Sequence, residues 1–207
     1  MRASLIGVCA GLALAASYVD SGASAAIAES AMPAAVTADD SADSGARRTV
    51  NYYRVPPVSL LRDDGESVLL SRELAGSRPV VLNFIYTSCT SICPLSSQNM
   101  SLLQKRLGKD RDRVRLVSIS LDPEQDTPSR LREYAERFHA GPEWHHYTGT
   151  LAASIAAQRA FNVYRGDKMR HEPVMLVRSQ AGGPWVRFDG FATAENLYAE
   201  LHLSEQP

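Results

Sequence analysis

The pattern of apolar and polar positions predicts alternating strands and helices, and its strongest feature lies near the middle of the chain. Val80–Ile85 is an apolar run rich in valine, isoleucine and phenylalanine, which is the pattern of a buried strand. After Pro94 the leucines recur at helical spacing, which predicts an amphipathic helix that ends near Gly108. The strand and the helix follow each other closely, and Cys89 and Cys93 lie at their junction.

The same pattern predicts further elements on both sides of this junction. An apolar, turn, apolar segment at residues 58–70, with Asp64-Gly65 at its turn, predicts a β-hairpin. Thr127 and Pro128 predict the start of a helix, with Thr127 as its N-cap. The other predicted elements are strands at 114–121, 144–147, 174–177 and 185–188, and helices at 151–161 and 194–203. This order implies a central mixed sheet with parallel crossovers and helices on both faces.

The composition is that of a globular protein, and the N-terminal sequence predicts export. Of 207 residues, 44% are hydrophobic and the formal net charge is -1, so a nucleic-acid partner is not expected. Arg2 precedes an uncharged stretch at residues 3–19, and small residues follow at 23–25, which predicts a signal peptide or a membrane anchor over residues 1–25. We therefore expect a location in the periplasm or at the outer face of the inner membrane.

The segment after this predicted signal has a different composition. Residues 26–50 contain few large apolar side chains, and such a segment cannot bury enough surface to offset its ordering entropy. We expect a flexible linker over residues 26–50, followed by a folded domain over residues 51–207.

The chemistry that the sequence offers lies in its cysteine pair. Cys89 and Cys93 are separated by three residues, whereas thiol-disulfide oxidoreductases usually separate their cysteines by two. Free NH groups and the helix dipole stabilise thiolates at such a junction, which favours both redox chemistry and soft-metal binding. A cysteine pair after the first core strand predicts a thioredoxin-like α/β fold, with a central mixed β-sheet flanked by helices and an N-terminal β-hairpin.

Two thiolates alone leave a copper or zinc ion under-coordinated, so a histidine ligand is expected. His139 is predicted in the last turn of a helix, where the dipole favours a structural role, and His202 in the terminal helix, facing solvent. His145 and His146 point to opposite faces of a strand, so one of them can face the site. His171 precedes the late strand at 174–177, in the loop that lies beside the cysteine turn in such a sheet. It is the strongest candidate ligand, and the alternative is a loop histidine satisfied by local hydrogen bonds.

Two blocks of sequence resemble a known family. Residues 84–94 resemble the signature of the Sco (SenC) proteins, which deliver copper to the binuclear copper site of cytochrome c oxidase. Residues 117–128, followed by 131–135, resemble that family's segment of strand, Asp-Pro-x-x-Asp-Thr-Pro and helix. The likeness covers residues 58–203.

The resemblance implies a copper centre and a partner. Cys89 and Cys93 match the family's metal-binding thiols, and His171 falls where its third ligand precedes the late strand; the metal would be Cu(I) or Cu(II). The implied partner is the copper-bearing subunit of cytochrome c oxidase or another cysteine-containing acceptor. The protein itself is expected to be a monomer. Asp122 and Asp126 match acidic positions that are not expected to bind metal. Asp126 is interpreted as the cap of the following helix. The alternative is that it supports the metal site or the docking of a partner protein.

The alternative to a copper metallochaperone is an enzyme. Where the family has an acidic residue before the histidine and small or hydroxyl residues after it, this chain has Arg170, Glu172 and Pro173. Pro173 lies close to where redox-active thioredoxin-like proteins place a proline that faces the cysteines, which favours a redox role. A thiol-disulfide reductase would use Cys89 as an exposed attacking thiolate and Cys93 as the resolving thiol.

Two other interpretations are weaker. A peroxidase of the peroxiredoxin kind is disfavoured, because no arginine is clearly placed to activate a cysteine. Met100 and Met175 carry soft sulfur atoms, but their spacing predicts core packing.

Overall fold

The computed structural model describes residues 45–203, and these form one mixed sheet with helices on both faces. The strands are β1 Arg47–Asn51, β2 Ser59–Arg62, β3 Ser67–Leu69, β4 Val80–Ile85, β5 Arg115–Ser120, β6 Trp144–Gly149, β7 Val174–Arg178 and β8 Trp185–Asp189. The helices are α1 Leu70–Glu73, α2 Ile92–Leu107, α3 Pro128–Arg137, α4 Leu151–Ala160 and α5 Ala194–Ala199, with 3₁₀ segments at Gly108–Arg113 and Lys168–Arg170.

The strand order within these residues is β1-β8-β7-β4-β5-β6-β2-β3. Strand β5 pairs in parallel with β4 on one side and β6 on the other, and every other pairing is antiparallel. The predicted thioredoxin-like α/β fold is confirmed, including the N-terminal hairpin of β2 and β3. Because β4 and β5 are parallel, the loops after both strands leave from the same edge of the sheet.

The alternation of side chains along the central strands produces a hydrophobic core on each face of the sheet. Leu82 packs with buried residues of α1, α3 and α4 on one face. Its neighbour Val81 packs with buried residues of α2 and α5 on the other. All six residues of β4 are buried, which explains why that strand reads as a continuous apolar run.

Strand β1 corrects the predicted domain boundary. Residues 47–50 were expected in a flexible linker, but Arg47–Asn51 pairs with β8 along its whole length. The strand has no clear apolar alternation, and ion pairs of Arg47 with Asp189 at 3.2 Å and of Arg48 with Glu200 at 2.7 Å add to its backbone hydrogen bonds. The predicted signal at residues 1–25 and the rest of the predicted linker lie outside the described residues.

Two helices end earlier than predicted, which moves two histidines out of them. Helix α3 ends at Arg137, so His139 follows it, with a φ of 54°. Helix α5 ends at Ala199, and the exposed His202 follows it with a φ of 48°. No helix within residues 45–203 combines the length and the apolar character needed to cross a membrane.

The cap of α3 gives a stability prediction. The Thr127 hydroxyl accepts a hydrogen bond from the Arg130 backbone NH at 3.3 Å, and Pro128 begins the helix as predicted. Replacing Thr127 by alanine should lower the free energy of unfolding by about 1 kcal/mol, because a free NH of the first turn loses its partner. Denaturant unfolding measures the change. Thr127→Ser keeps the hydroxyl and should unfold like the wild type; an equal loss in both variants would contradict a capping role.

Candidate metal centre

Cys89, Cys93 and His171 converge at the edge of the sheet where β4 ends. The two cysteines lie in the loop after β4 and in the first turn of α2, and His171 directly follows the 3₁₀ turn that precedes β7. Their sulfur and ring nitrogen atoms lie within 4.8 Å of one another. The distance from Cys93 Sγ to His171 Nε2 is 3.4 Å. Among the described residues, these form the one group of three histidine, cysteine or acidic side chains that is close enough to hold a metal ion.

The two thiols have unequal acidity. Burial by itself would raise the pKa of Cys89, but hydrogen bonds from the NH groups of Cys93 and Ser91 outweigh it and lower that pKa to about 7. The Cys93 NH lies 3.4 Å from Cys89 Sγ, as expected of a free donor at a helix N-terminus. Burial raises the pKa of Cys93 well above its usual range. Above about pH 7 the pair therefore holds one thiolate and one thiol.

The imidazole of His171 is oriented by the backbone. Its Nδ1 lies 2.8 Å from the Lys168 carbonyl oxygen. Because a carbonyl can only accept, Nδ1 carries the hydrogen and Nε2 presents its lone pair toward Cys93. Burial lowers the pKa of His171, which keeps the ring neutral. The Tyr86 ring packs against the imidazole at 5.2 Å between centroids, nearly at a right angle.

Asp126 supports the cysteine loop instead of capping α3, so the capping interpretation is wrong. Its carboxylate is fully buried and accepts hydrogen bonds from the Thr87 NH at 3.2 Å, the Thr87 hydroxyl at 2.6 Å and the Ser120 hydroxyl at 2.6 Å. Thr127 provides the cap. Asp126 therefore ties the loop after β4 to the end of β5.

Asp122 supports the histidine turn. Its Oδ2 pairs with the Nζ of Lys168, the residue whose carbonyl orients His171. The Lys168 ammonium also lies over the Tyr86 ring, 5.6 Å from its centroid. Sequence reasoning missed Lys168 and Tyr86, because a lysine in a polar loop and a tyrosine after a strand carry no signal of their own.

The other candidate residues lie elsewhere. His146 is fully buried, 3.5 Å from Asp63, and His145 is 3.9 Å from the same carboxylate, so neither joins the cysteines. Met100 and Met175 lie in the core, at 0% and 1% exposure, as predicted.

The donor set suits a soft or borderline ion. Two sulfurs and one imidazole nitrogen are ligands that copper and zinc accept, and three protein ligands leave a position open for exchange. All three side chains are buried, with exposures of 6% for Cys89, 1% for Cys93 and 8% for His171. The expectation that Cys89 is exposed is therefore wrong.

Comparison with known proteins places this geometry in a family. The SCO1/SenC family model matches residues 50–203. The chain belongs to the SCO1/SenC family. A SCO1 protein homolog of Bacillus subtilis is 35% identical over 104 residues, which cover 50% of this chain and 53% of that relative. A mitochondrial SCO1 homolog of Arabidopsis thaliana is 34% identical over 110 residues, 52% of this chain and 31% of the relative. The matches thus span about half or less of these relatives.

Solved structures of SCO1/SenC proteins share the fold. Bradyrhizobium japonicum ScoI with copper bound aligns with a TM-score of 0.60 and 28% identity, over 70% of this chain and 96% of that one. BsSco, described by its disulfide switch and as a member of the Sco family of cytochrome c oxidase assembly proteins, aligns with a TM-score of 0.61 and 26% identity. That match covers 72% of this chain and 91% of BsSco.

The unequal thiols of this SCO1/SenC domain predict selective alkylation. In the reduced, metal-free protein, iodoacetamide should modify Cys89 with a midpoint near pH 7, while Cys93 stays unmodified there because burial keeps it protonated. Peptide mass spectrometry over a pH series measures both reactions. In denaturant the two thiols should react alike, near the ordinary cysteine pKa. Modification of Cys93 at the same pH as Cys89 in the folded protein would contradict the assignment.

Proposed function

We propose that this protein binds copper through Cys89, Cys93 and His171 and acts on the binuclear copper site of cytochrome c oxidase during its assembly. The observation that carries the proposal is the convergence of two sulfurs and one oriented imidazole nitrogen within 4.8 Å. The choice of metal is supported by the copper bound to ScoI, which has the same fold. The choice of partner is supported by the description of BsSco as a member of a family of cytochrome c oxidase assembly proteins.

Copper is the cargo of this activity, and delivery proceeds by ligand exchange. The two thiolates suit Cu(I), and the His171 nitrogen also allows Cu(II) to be held. A cysteine of the acceptor forms a bond to the ion as one ligand of this chain leaves, and repetition of this exchange moves the ion without a change of oxidation state. Both thiols must be reduced for binding, because a disulfide removes both sulfur ligands.

A second activity, reduction of the acceptor's cysteines, is favoured by the unequal thiols. The Cys89 thiolate would attack an acceptor disulfide, releasing one acceptor thiolate, and Cys93 would then form the Cys89–Cys93 disulfide and release the other. Two electrons pass to the acceptor. The low exposure of Cys89, 6%, hinders the approach of a partner disulfide. This reaction does not require an oriented imidazole, whereas a copper ion held by two sulfurs is better satisfied with a nitrogen ligand, so copper binding is the stronger proposal.

The proposed acceptor and the N-terminal sequence support a proposal for the location. We propose that the domain lies in the periplasm or at the outer face of the inner membrane, and that residues 1–25 are a signal peptide or membrane anchor. The uncharged stretch after Arg2 supports this placement. Because β1 begins at Arg47, the proposed linker ends before that residue.

Ligand variants test the copper site. The reduced wild type should bind one Cu(I) or one Cu(II), and the Cu(II) complex should show a sulfur-to-copper charge-transfer band. Cys89→Ser and Cys93→Ser should lose the band. His171→Ala should weaken Cu(II) binding by more than the roughly 10–100-fold that loss of an outer-shell partner costs. Competition titrations and absorbance measure both effects.

The matched control for His171 is His139, which is exposed and outside the cluster. His139→Asn, which tolerates the positive φ, should bind copper like the wild type. Equal Cu(II) affinity in wild type and His171→Ala would remove His171 from the ligand set. Unchanged thiol alkylation in His171→Ala would show that the variant remains folded.

Proton release provides a test of the thiol states. Above about pH 7 Cys89 is already a thiolate and Cys93 is not, so binding of one copper ion should release one proton, and below that pH the number should approach two. Apparent affinity should therefore rise with pH, about tenfold per unit above pH 7 and more steeply below. Competition titrations over a pH series, with calorimetry in two buffers, measure the slope. An affinity independent of pH would contradict the assignment.

A further inference from the structure

The proposed copper ligands are buried, so an arriving ion must first meet other groups at the surface. Cys89, Cys93 and His171 are exposed by only 6%, 1% and 8%. A Cu(I) ion in water or on a donor protein therefore reaches only a small part of their surface in this conformation. A soft donor at the surface beside the site would shorten that path, since thioether sulfur selects Cu(I) over harder ions.

Met169 is such a donor. Its side chain is 70% exposed, whereas Met100 and Met175 are 0% and 1% exposed. Met169 lies two residues before His171, in the 3₁₀ turn whose Lys168 carbonyl orients the imidazole.

The turn holds the Met169 backbone in place. Its NH donates to the Asp167 carboxylate at 2.9 Å. The Arg170 NH donates to the Asp167 carbonyl at 3.0 Å, and the His171 NH donates to the Lys168 carbonyl at 3.2 Å. The thioether therefore projects from a fixed point of the backbone next to the proposed copper site.

The Met169 sulfur also contacts a side chain that packs against the site. The Tyr86 hydroxyl lies 3.4 Å from Met169 Sδ and donates a hydrogen bond to it. The Tyr86 ring packs against the His171 imidazole at 5.2 Å between centroids, and the Tyr86 carbonyl accepts a hydrogen bond from the Cys89 NH at 3.1 Å. A single residue, Tyr86, therefore lies between Met169 Sδ and the proposed ligands, and rotation of the flexible methionine side chain would carry a bound ion toward them.

We propose that Met169 is a capture ligand for Cu(I), which its thioether binds at the surface and passes to the Cys89 sulfur. This inference rests on the proposed copper-binding function. A weak Cu(I) donor releases the ion to Met169; the Cys89 thiolate then forms a bond to copper as the bond to the thioether breaks. Cys93 joins as its thiol proton leaves to water, and His171 completes the set. Copper stays Cu(I) throughout, so no electron acceptor is required.

The test separates the rate of loading from the strength of binding. Met169→Leu keeps the size of the side chain and removes its sulfur. With Cu(I) supplied in acetonitrile to the full-length reduced protein, stopped-flow loading should slow by about tenfold, the lower end of what loss of an outer-shell metal partner costs. The equilibrium affinity should stay within about threefold of the wild type, because Met169 does not belong to the final ligand set.

A matched control and a second readout complete the design. Leu102 is an exposed apolar residue of α2, 42% exposed, and Leu102→Ala should load at the wild-type rate. The second readout uses a Cys89→Ser, Cys93→Ser protein labelled with ¹³C at its methionine methyl groups. The probe is Ag(I), a redox-silent analogue of Cu(I). Ag(I) should shift the NMR signal of the Met169 methyl group. The signal is assigned by its loss in Met169→Leu.

The outcomes distinguish the two proposals. Wild-type loading rates in Met169→Leu would overturn the capture role while leaving the copper site intact. Failure of the wild type to bind copper would overturn the proposed function, and the Ag(I) experiment would then be the test of Met169 as a capture ligand. Absence of a Met169 methyl shift with Ag(I) would overturn the capture role.

Discussion

Two carboxylates in the loop after β5 hold the two halves of the metal centre together. Asp126 accepts hydrogen bonds from three donor groups, two of them on Thr87 in the cysteine loop. Asp122, four residues earlier, pairs with Lys168 in the histidine turn. Burial of a carboxylate is unfavourable unless it finds partners, and both carboxylates, which are at most 6% exposed, find partners in these two loops. The relative position of sulfur and nitrogen ligands depends on this loop.

The electrostatics of the site follow from the same arrangement. With the cysteine loop fixed, Cys89 Sγ lies at the free NH groups that begin α2, and Cys93 lies in the first turn of the helix, away from solvent. One position stabilises a thiolate and the other a neutral thiol. The backbone geometry of a strand-to-helix junction thus produces two different sulfurs from identical residues.

Much of this fold could be predicted from the sequence, because strong local signals agree with it. The apolar run of β4, the Thr127 cap and the position of His171 before β7 are visible without coordinates. Strand β1 could not be predicted, since an edge strand held by backbone hydrogen bonds and ion pairs needs no apolar alternation. The burial of Cys89 and the partner of Lys168 could not be predicted either, because each depends on segments that are distant in sequence.

The orientation of His171 separates the two chemistries that the cysteine pair allows. Disulfide exchange needs a nucleophilic thiolate and a resolving thiol, and Cys89 and Cys93 supply both without a third residue. A metal ligand, in contrast, must present a lone pair, and the hydrogen bond from Nδ1 to the Lys168 carbonyl gives Nε2 that lone pair and aims it at Cys93. The Asp122–Lys168 ion pair then fixes the turn that carries this carbonyl. A reductase does not require this chain of contacts, whereas in a copper site it orients the third ligand before the ion arrives.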